Sequence, residues 1–250
     1  MKKYFIAPLF CIFLAASAHA QGITVAAAAN VQFTLDELKA EFTKETGIEV
    51  KEVIGASGKL TAQIENGAPF DVFMSADMKY PDRLQKDGIA TQGPKTYAYG
   101  FLVLWTMKDI DLSKGVAGLS DASIKKIALA SPQAAPYGRQ TVNALKYYHL
   151  YPQIQSKLVY GESISQANQF ITTQAADVGF TAKSIVLAPN MKDHGKWVDV
   201  EKQAYDPIAQ GVIVLKYASK NHASEAKQFY DFLFSVQAQE IFKKYGYTLP

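Results

Sequence analysis

The sequence predicts an α/β protein of two units, each a mainly parallel sheet flanked by helices. Short apolar runs alternate with helical periodicity in the order β-α-β-α-β, and the whole alternation occurs twice with different residues. No Pro- or Ser-rich linker separates the two units, so the chain is expected to cross between them on strands, near residues 97–102 and 205–211.

The first unit opens with Ile23-Thr24-Val25-Ala26-Ala27-Ala28, an apolar run suited to a buried strand. Asn30 then stands where a helix would be capped, and Leu35, Leu38 and Phe42 share one helical face that Gly47 ends. Residues 48–54 alternate as a strand, Gly55-Ala56-Ser57-Gly58 turns into a helix carrying Leu60 and Ile64, and Asp71-Val72-Phe73-Met74 is the third strand. In the second unit, residues 99–106 and 127–130 read as strands, and a helix is expected from about Arg139 to Tyr148. Leu158-Val159-Tyr160 leads through Gly161-Glu162-Ser163 into a helix with Ala167, Phe170 and Ile171, and residues 177–180 form the next strand. After an apolar run over 210–215, helices carrying Phe229, Phe232, Leu233, Ile241 and Phe242 are expected to return to the first unit. The resulting division is 21–98 with 211–250 in one lobe and 99–210 in the other.

Residues 1–20 have the marks of a cleaved signal peptide. Lys2 and Lys3 precede an apolar stretch too short for a membrane span, and Ala18-His19-Ala20 offers a small-x-small cleavage pattern. The single cysteine, Cys11, falls inside that stretch, so the expected mature chain has no disulfide. Net charge is +3, or +1 without Lys2 and Lys3. That balance argues against a nucleic-acid partner and means that any preference for anions must be local.

In an open α/β sheet, ligands bind beyond the carboxyl ends of strands, where loops enter helices. Four such loops stand out: Ala28-Ala29-Asn30, Gly55-Ala56-Ser57-Gly58, Pro136-Tyr137-Gly138 and Glu162-Ser163-Ile164. Free N–H groups and the positive ends of helices there suit an anion, and Asn30, Ser57 and Tyr137 add side-chain donors. Each has an ordinary alternative: Asn and Ser as plain caps, Tyr137 as a loop aromatic, Arg139 as a solvated helix-start residue. No Cys/His cluster, nucleophile elbow, HExxH or P-loop is present, so neither a catalytic residue nor a cofactor is expected.

Taken in order, these loops resemble the periplasmic molybdate-binding proteins of ABC transporters over essentially the whole mature chain. The resemblance is carried by residues 24–30, by Gly55-Ala56-Ser57-Gly58-Lys59-Leu60, and by residues 237–247. Its most specific segment is Gly67-Ala68-Pro69-Phe70-Asp71-Val72-Phe73-Met74-Ser75-Ala76-Asp77. It implies a two-lobed, hinge-closing binding protein of type II that holds molybdate or tungstate in its cleft. It further implies a monomer in the periplasm that hands the ion to a membrane permease. It assigns oxyanion binding to Asn30, Ser57, Tyr137 and the backbone N–H of Ile164. Some members place a late tyrosine donor where this chain has Ala182, a donor that the Tyr137 phenol would replace. Receptors for sulfate, phosphate or ferric ion are the alternatives.

Overall fold

The computed structural model describes residues 22–250, so the expected signal peptide over 1–20, with Cys11, lies outside the described residues. Ten strands form two five-stranded sheets: β1 (Ile23–Ala28), β2 (Val50–Gly55), β3 (Val72–Ser75), β4 (Ala90–Gly100), β5 (Leu102–Thr106), β6 (Ile127–Ala130), β7 (Leu158–Gly161), β8 (Val178–Ala182), β9 (Lys196–Asp199) and β10 (Ile208–Leu215). Around them lie α1 (Gln32–Thr46), α2 (Ser57–Glu65), α3 (Lys79–Lys86), α4 (Pro136–Tyr147), α5 (Tyr151–Ile154), α6 (Ile164–Thr172), α7 (Lys183–Val186), α8 (Ala218–Asn221), α9 (Ala223–Phe232) and α10 (Val236–Lys244).

The first sheet runs β2-β1-β3-β10-β4 and the second β7-β6-β8-β5-β9. In each, the three consecutive parallel strands are joined by an antiparallel fourth, β10 or β5, which turns the outermost strand back to the common direction. The carboxyl ends of the parallel strands therefore open on one side of each sheet, as the crossover helices demand.

The apolar periodicity read in the sequence is the packing seen. Leu35, Leu38 and Phe42 of α1 are fully buried, and Phe42 meets Phe229 of α9 edge-on at 5.2 Å between centroids. The C-terminal helices thus cover the first sheet. Gly47 takes a left-handed conformation (φ 72°) and its N–H closes α1 on the Thr43 carbonyl, the geometry that favours glycine at a helix end.

Three features depart from the sequence reading. The expected strand over 99–106 is two strands: Tyr99 and Gly100 pair with Ala209 and Ile208 in the first sheet, whereas Leu102 pairs with Ala182 in the second. Phe101 is the crossing, and the Leu102 N–H donates to the Tyr205 hydroxyl at 3.1 Å instead of to a strand. Helix α4 begins at Pro136, three residues before the expected start. Proline serves at the first helical position because its missing N–H needs no partner there. Helix α3 and edge strand β9 were not anticipated; both are short and rich in charge, with only Tyr80, Pro81 and Leu84 of α3 buried.

The chain crosses back before β10, whose pairing with β4 begins at Ile208–Gly100. The C-terminal tail joins this region: Tyr99 and Thr248 exchange backbone hydrogen bonds at 2.7 and 3.1 Å. That exchange holds Tyr247 in the interior, 4% exposed, beside the crossing.

Candidate ligand-binding site

Between the two sheets lies a small cavity of about 10 Å³. Asn30, Ser57, Tyr137 and Ile164 all line it, together with Ala28, Ala29, Gly55, Ala56, Ala76, Ala135 and Pro136. None of these side chains is charged. The four residues singled out from sequence come from four separate loops and meet at one point.

Three helices of eight or more residues begin at this cavity: α2 at Ser57, α4 at Pro136 and α6 at Ile164. The first N–H groups of a helix have no intrahelical acceptor, and each start carries about half a positive elementary charge. Alanine occupies the cap position of two of them, Ala56 before α2 and Ala135 before α4, and neither makes a side-chain cap. Alanine there is about 1 kcal/mol worse than serine or aspartate. At α6, Ser163 does cap, accepting from the Gln166 N–H at 3.4 Å, which leaves the Ile164 N–H without a cap partner. Small side chains at the caps keep the helix ends open to whatever enters the cavity.

Ser57 is not a cap but the first residue of α2. Its Oγ accepts the Ala76 N–H at 3.0 Å, so the hydroxyl proton is left to donate elsewhere. Asn30 sits in a 3-10 turn after β1. Its Nδ2 donates to Gln210 Oε1 (2.8 Å) and to the Tyr247 hydroxyl (3.1 Å), and its carbonyl accepts from Ser184 Oγ (2.7 Å) and from Tyr247 (3.2 Å). The Asn30 Oδ1 has no partner.

Tyr137 lines the cavity, but its phenol does not fill the role expected of it. The hydroxyl packs on Gly100, which is not a lining residue; a Cβ added at Gly100 would overlap it and lie 2.9 Å from Gln210 Nε2. Burial, then the neighbouring phenols Tyr247, Tyr97 and Tyr205, push its pKa well above the usual tyrosine value. Burial also raises Tyr247, to about 12. Ala182 ends β8 as a fully buried residue paired with Leu102 and does not line the cavity.

The two sheets touch around the cavity. The Gly58 N–H donates to the Ala134 carbonyl at 2.9 Å, Ser165 Oγ to Gln32 Oε1 at 2.8 Å, and Lys59 pairs with Glu162 at 2.6 Å. Arg139, an anion-site candidate in the sequence, instead pairs with Asp77 and reaches the Tyr80 hydroxyl at 3.3 Å. Burial holds the Asp77 carboxyl above its ordinary pKa despite the adjacent guanidinium. Folding thus favours the protonated acid. Ionised Asp77 costs stability at neutral pH, and that cost fades as pH falls through its folded pKa. Asp77→Asn is accordingly expected to keep the neutral-pH melting temperature within about 2 °C of wild type, measured by differential scanning calorimetry.

Gln210, Tyr247 and Ser184 were not anticipated. They reach Asn30 from 180, 217 and 154 residues away, and no local pattern marks them. Only the apolar run over 210–215, which begins with a glutamine that must be buried, hinted at a partner for another polar group.

A model of the bacterial extracellular solute-binding protein family matches residues 23–248. The chain belongs to that family. The solute-binding protein is 38% identical to the molybdate-binding protein of Azotobacter vinelandii over 94% of this chain and 93% of that one. It is 39% identical to that of Rhodobacter capsulatus over 94% and 91%. The solved structure of the Azotobacter vinelandii periplasmic molybdate-binding protein superposes with a TM-score of 0.84 at 35% identity, covering 91% of this chain and 99% of that chain. These relatives are named for binding molybdate, and the cavity of this solute-binding protein is uncharged and faces three helix starts.

Proposed function

We propose that this protein captures molybdate, and tungstate with it, between lobes formed by its two sheets and passes the ion to the permease of an ABC importer. The observation that carries this reading is the meeting of three helix starts, two of them capped by alanine, on one uncharged cavity. The relatives named for molybdate binding support it. The donors we assign are the Ser57 hydroxyl, the Asn30 carboxamide, and the N–H groups at the starts of α4 and α6, at Tyr137 and Ile164. Tyr137 then contributes through its backbone, not its phenol.

The chemistry follows from the ion. Molybdate is a dianion at neutral pH, and burying it demands that several charge-assisted hydrogen bonds replace its water. Helix ends and neutral donors do this without a buried cation. Sulfate has the same charge and shape with shorter bonds, so a cavity walled by backbone leaves it with stretched contacts. We assign the protein to the periplasm as a monomer, with residues 1–20 removed. The lobes, expected over 21–98 with 211–250 and over 99–210, divide at the crossings near Phe101 and before Ile208, about which they move.

Titration calorimetry of the mature protein is expected to give tight one-to-one binding of molybdate and tungstate and little heat with sulfate. At a hundredfold excess over the dissociation constant, molybdate adds about 2.7 kcal/mol of stability, a thermal shift of about 5–10 °C for a chain of this size. Equal binding of sulfate would move the assignment to another oxyanion, and silence from all three ions would remove it.

A further inference from the structure

The Asn30 carboxamide offers a ligand either two N–H donors or one acceptor oxygen, and what decides between them lies outside the cavity. Here its Nδ2 is taken by Gln210 Oε1 and the Tyr247 hydroxyl, and its Oδ1 is unpartnered. Gln210 is itself fully buried, with Nε2 donating to the Ile208 carbonyl at 3.1 Å. Beside that Nε2 stands the Tyr137 hydroxyl, 1% exposed, whose proton has no acceptor.

We propose that Gln210 is a specificity-determining positioning residue: it reverses together with Asn30, so that the Asn30 N–H edge faces the bound dianion. This rests on the oxyanion reading above. After reversal, Gln210 Nε2 donates to Asn30 Oδ1, and Gln210 Oε1 occupies the former Nε2 place and accepts from the Tyr137 hydroxyl. The Tyr247 hydroxyl, which accepts from Asn30 Nδ2 in the present arrangement, can then turn its one proton from the Asn30 carbonyl to Oδ1. Asn30 Oδ1 thereby gains a partner and the Tyr137 proton an acceptor. The costs are the Gln210 bond to the Ile208 carbonyl, which the reversed oxygen faces instead, and the Tyr247 bond to the Asn30 carbonyl. Gains and losses are thus similar in number, and a ligand that needs donors selects the reversed arrangement. A protonated anion, which needs an acceptor, selects the arrangement seen here. Gln210 thus sets the polarity of the site without touching its contents.

The test is a double-mutant cycle read by calorimetry on wild type, Gln210→Met, Tyr137→Phe and the double variant, with melting temperatures in the absence of ligand. Each single variant is expected to lose about tenfold in molybdate affinity and to lose less for hydrogen phosphate at mildly alkaline pH, where both ions are dianions. Tyr137→Phe is expected to melt within about 2 °C of wild type, because it removes a buried hydroxyl whose proton has no acceptor in the free protein. The double variant should bind molybdate no worse than either single one, since both substitutions break the same relay. Additive losses, or unchanged discrimination in both single variants, would overturn the inference while leaving the oxyanion reading intact. A wild-type protein that binds no molybdate would overturn both. Should Gln210→Met fail to fold, Tyr137→Phe alone decides: lower affinity with undiminished stability and loss of discrimination supports the relay, and unchanged affinity sinks it.

Discussion

Gly138→Ala is expected to lower the melting temperature by about 6–12 °C and to abolish tight oxyanion binding. Gly138 is the third residue of α4, where the helix start is pressed against the end of β6. A Cβ there would run into the Ala130 carbonyl oxygen and lie 2.8 Å from the Ala130 carbon and 2.9 Å from the Ser131 carbon. All three obstacles are backbone, so no rotamer change relieves them. Overpacking of this kind costs about 3 kcal/mol, which corresponds to about 6–12 °C in a chain of this length. The only escape is to move α4 away from β6, which carries the Tyr137 N–H out of the cavity. Scanning calorimetry reads the first effect and ligand titration the second. A variant that melts and binds like wild type would show that the helix start is not held where the structure puts it.

Ser57→Ala should weaken molybdate binding by about 10- to 150-fold, the equivalent of one hydrogen bond to a charged group. The reason is specific to how Ser57 is held. Because Oγ already accepts from the Ala76 N–H, its proton is left to be donated to a ligand. The same substitution strands the Ala76 N–H, so a modest fall in stability of the free protein, about 1 kcal/mol, accompanies the loss. Titration of the variant against molybdate, with its melting curve alone, separates the two. Unchanged affinity beside the stability loss would make Ser57 a brace for the loop after β3 and nothing more.

The parts of this molecule that were legible in sequence are those encoded locally. The run of small residues at Ala28-Ala29-Asn30 and the turn Gly55-Ala56-Ser57-Gly58 announce strands ending at helix starts, and the run and the first three residues of the turn line the cavity. Leu35, Leu38 and Phe42 announced the buried face of α1. A crossing was expected near residues 97–102, but the break at Phe101 itself was illegible because Tyr99 and Leu102 are both good strand residues; only the identity of their partners, Ala209 and Ala182, divides them between sheets. Pro136-Tyr137-Gly138 reads as a turn by composition, yet Pro136 opens a helix, and the phenol was therefore aimed at the wrong target. The hydrogen bonds that hold Asn30 could not be read at all, since each joins residues more than 150 positions apart.

The contacts between the sheets carry a kinetic consequence. Gly58 to Ala134, Ser165 to Gln32 and the pairs Lys59–Glu162 and Arg139–Asp77 form a seam around the cavity, and none of Gly58, Ala134, Arg139 or Asp77 lines it. An enclosed ion can leave only after that seam parts. On the proposed reading the ion is itself held from both sides of that seam, so a tighter ion also slows the opening. Changes along the seam, away from the donors, would then shift the release rates of all cargo ions together while leaving the choice among them alone.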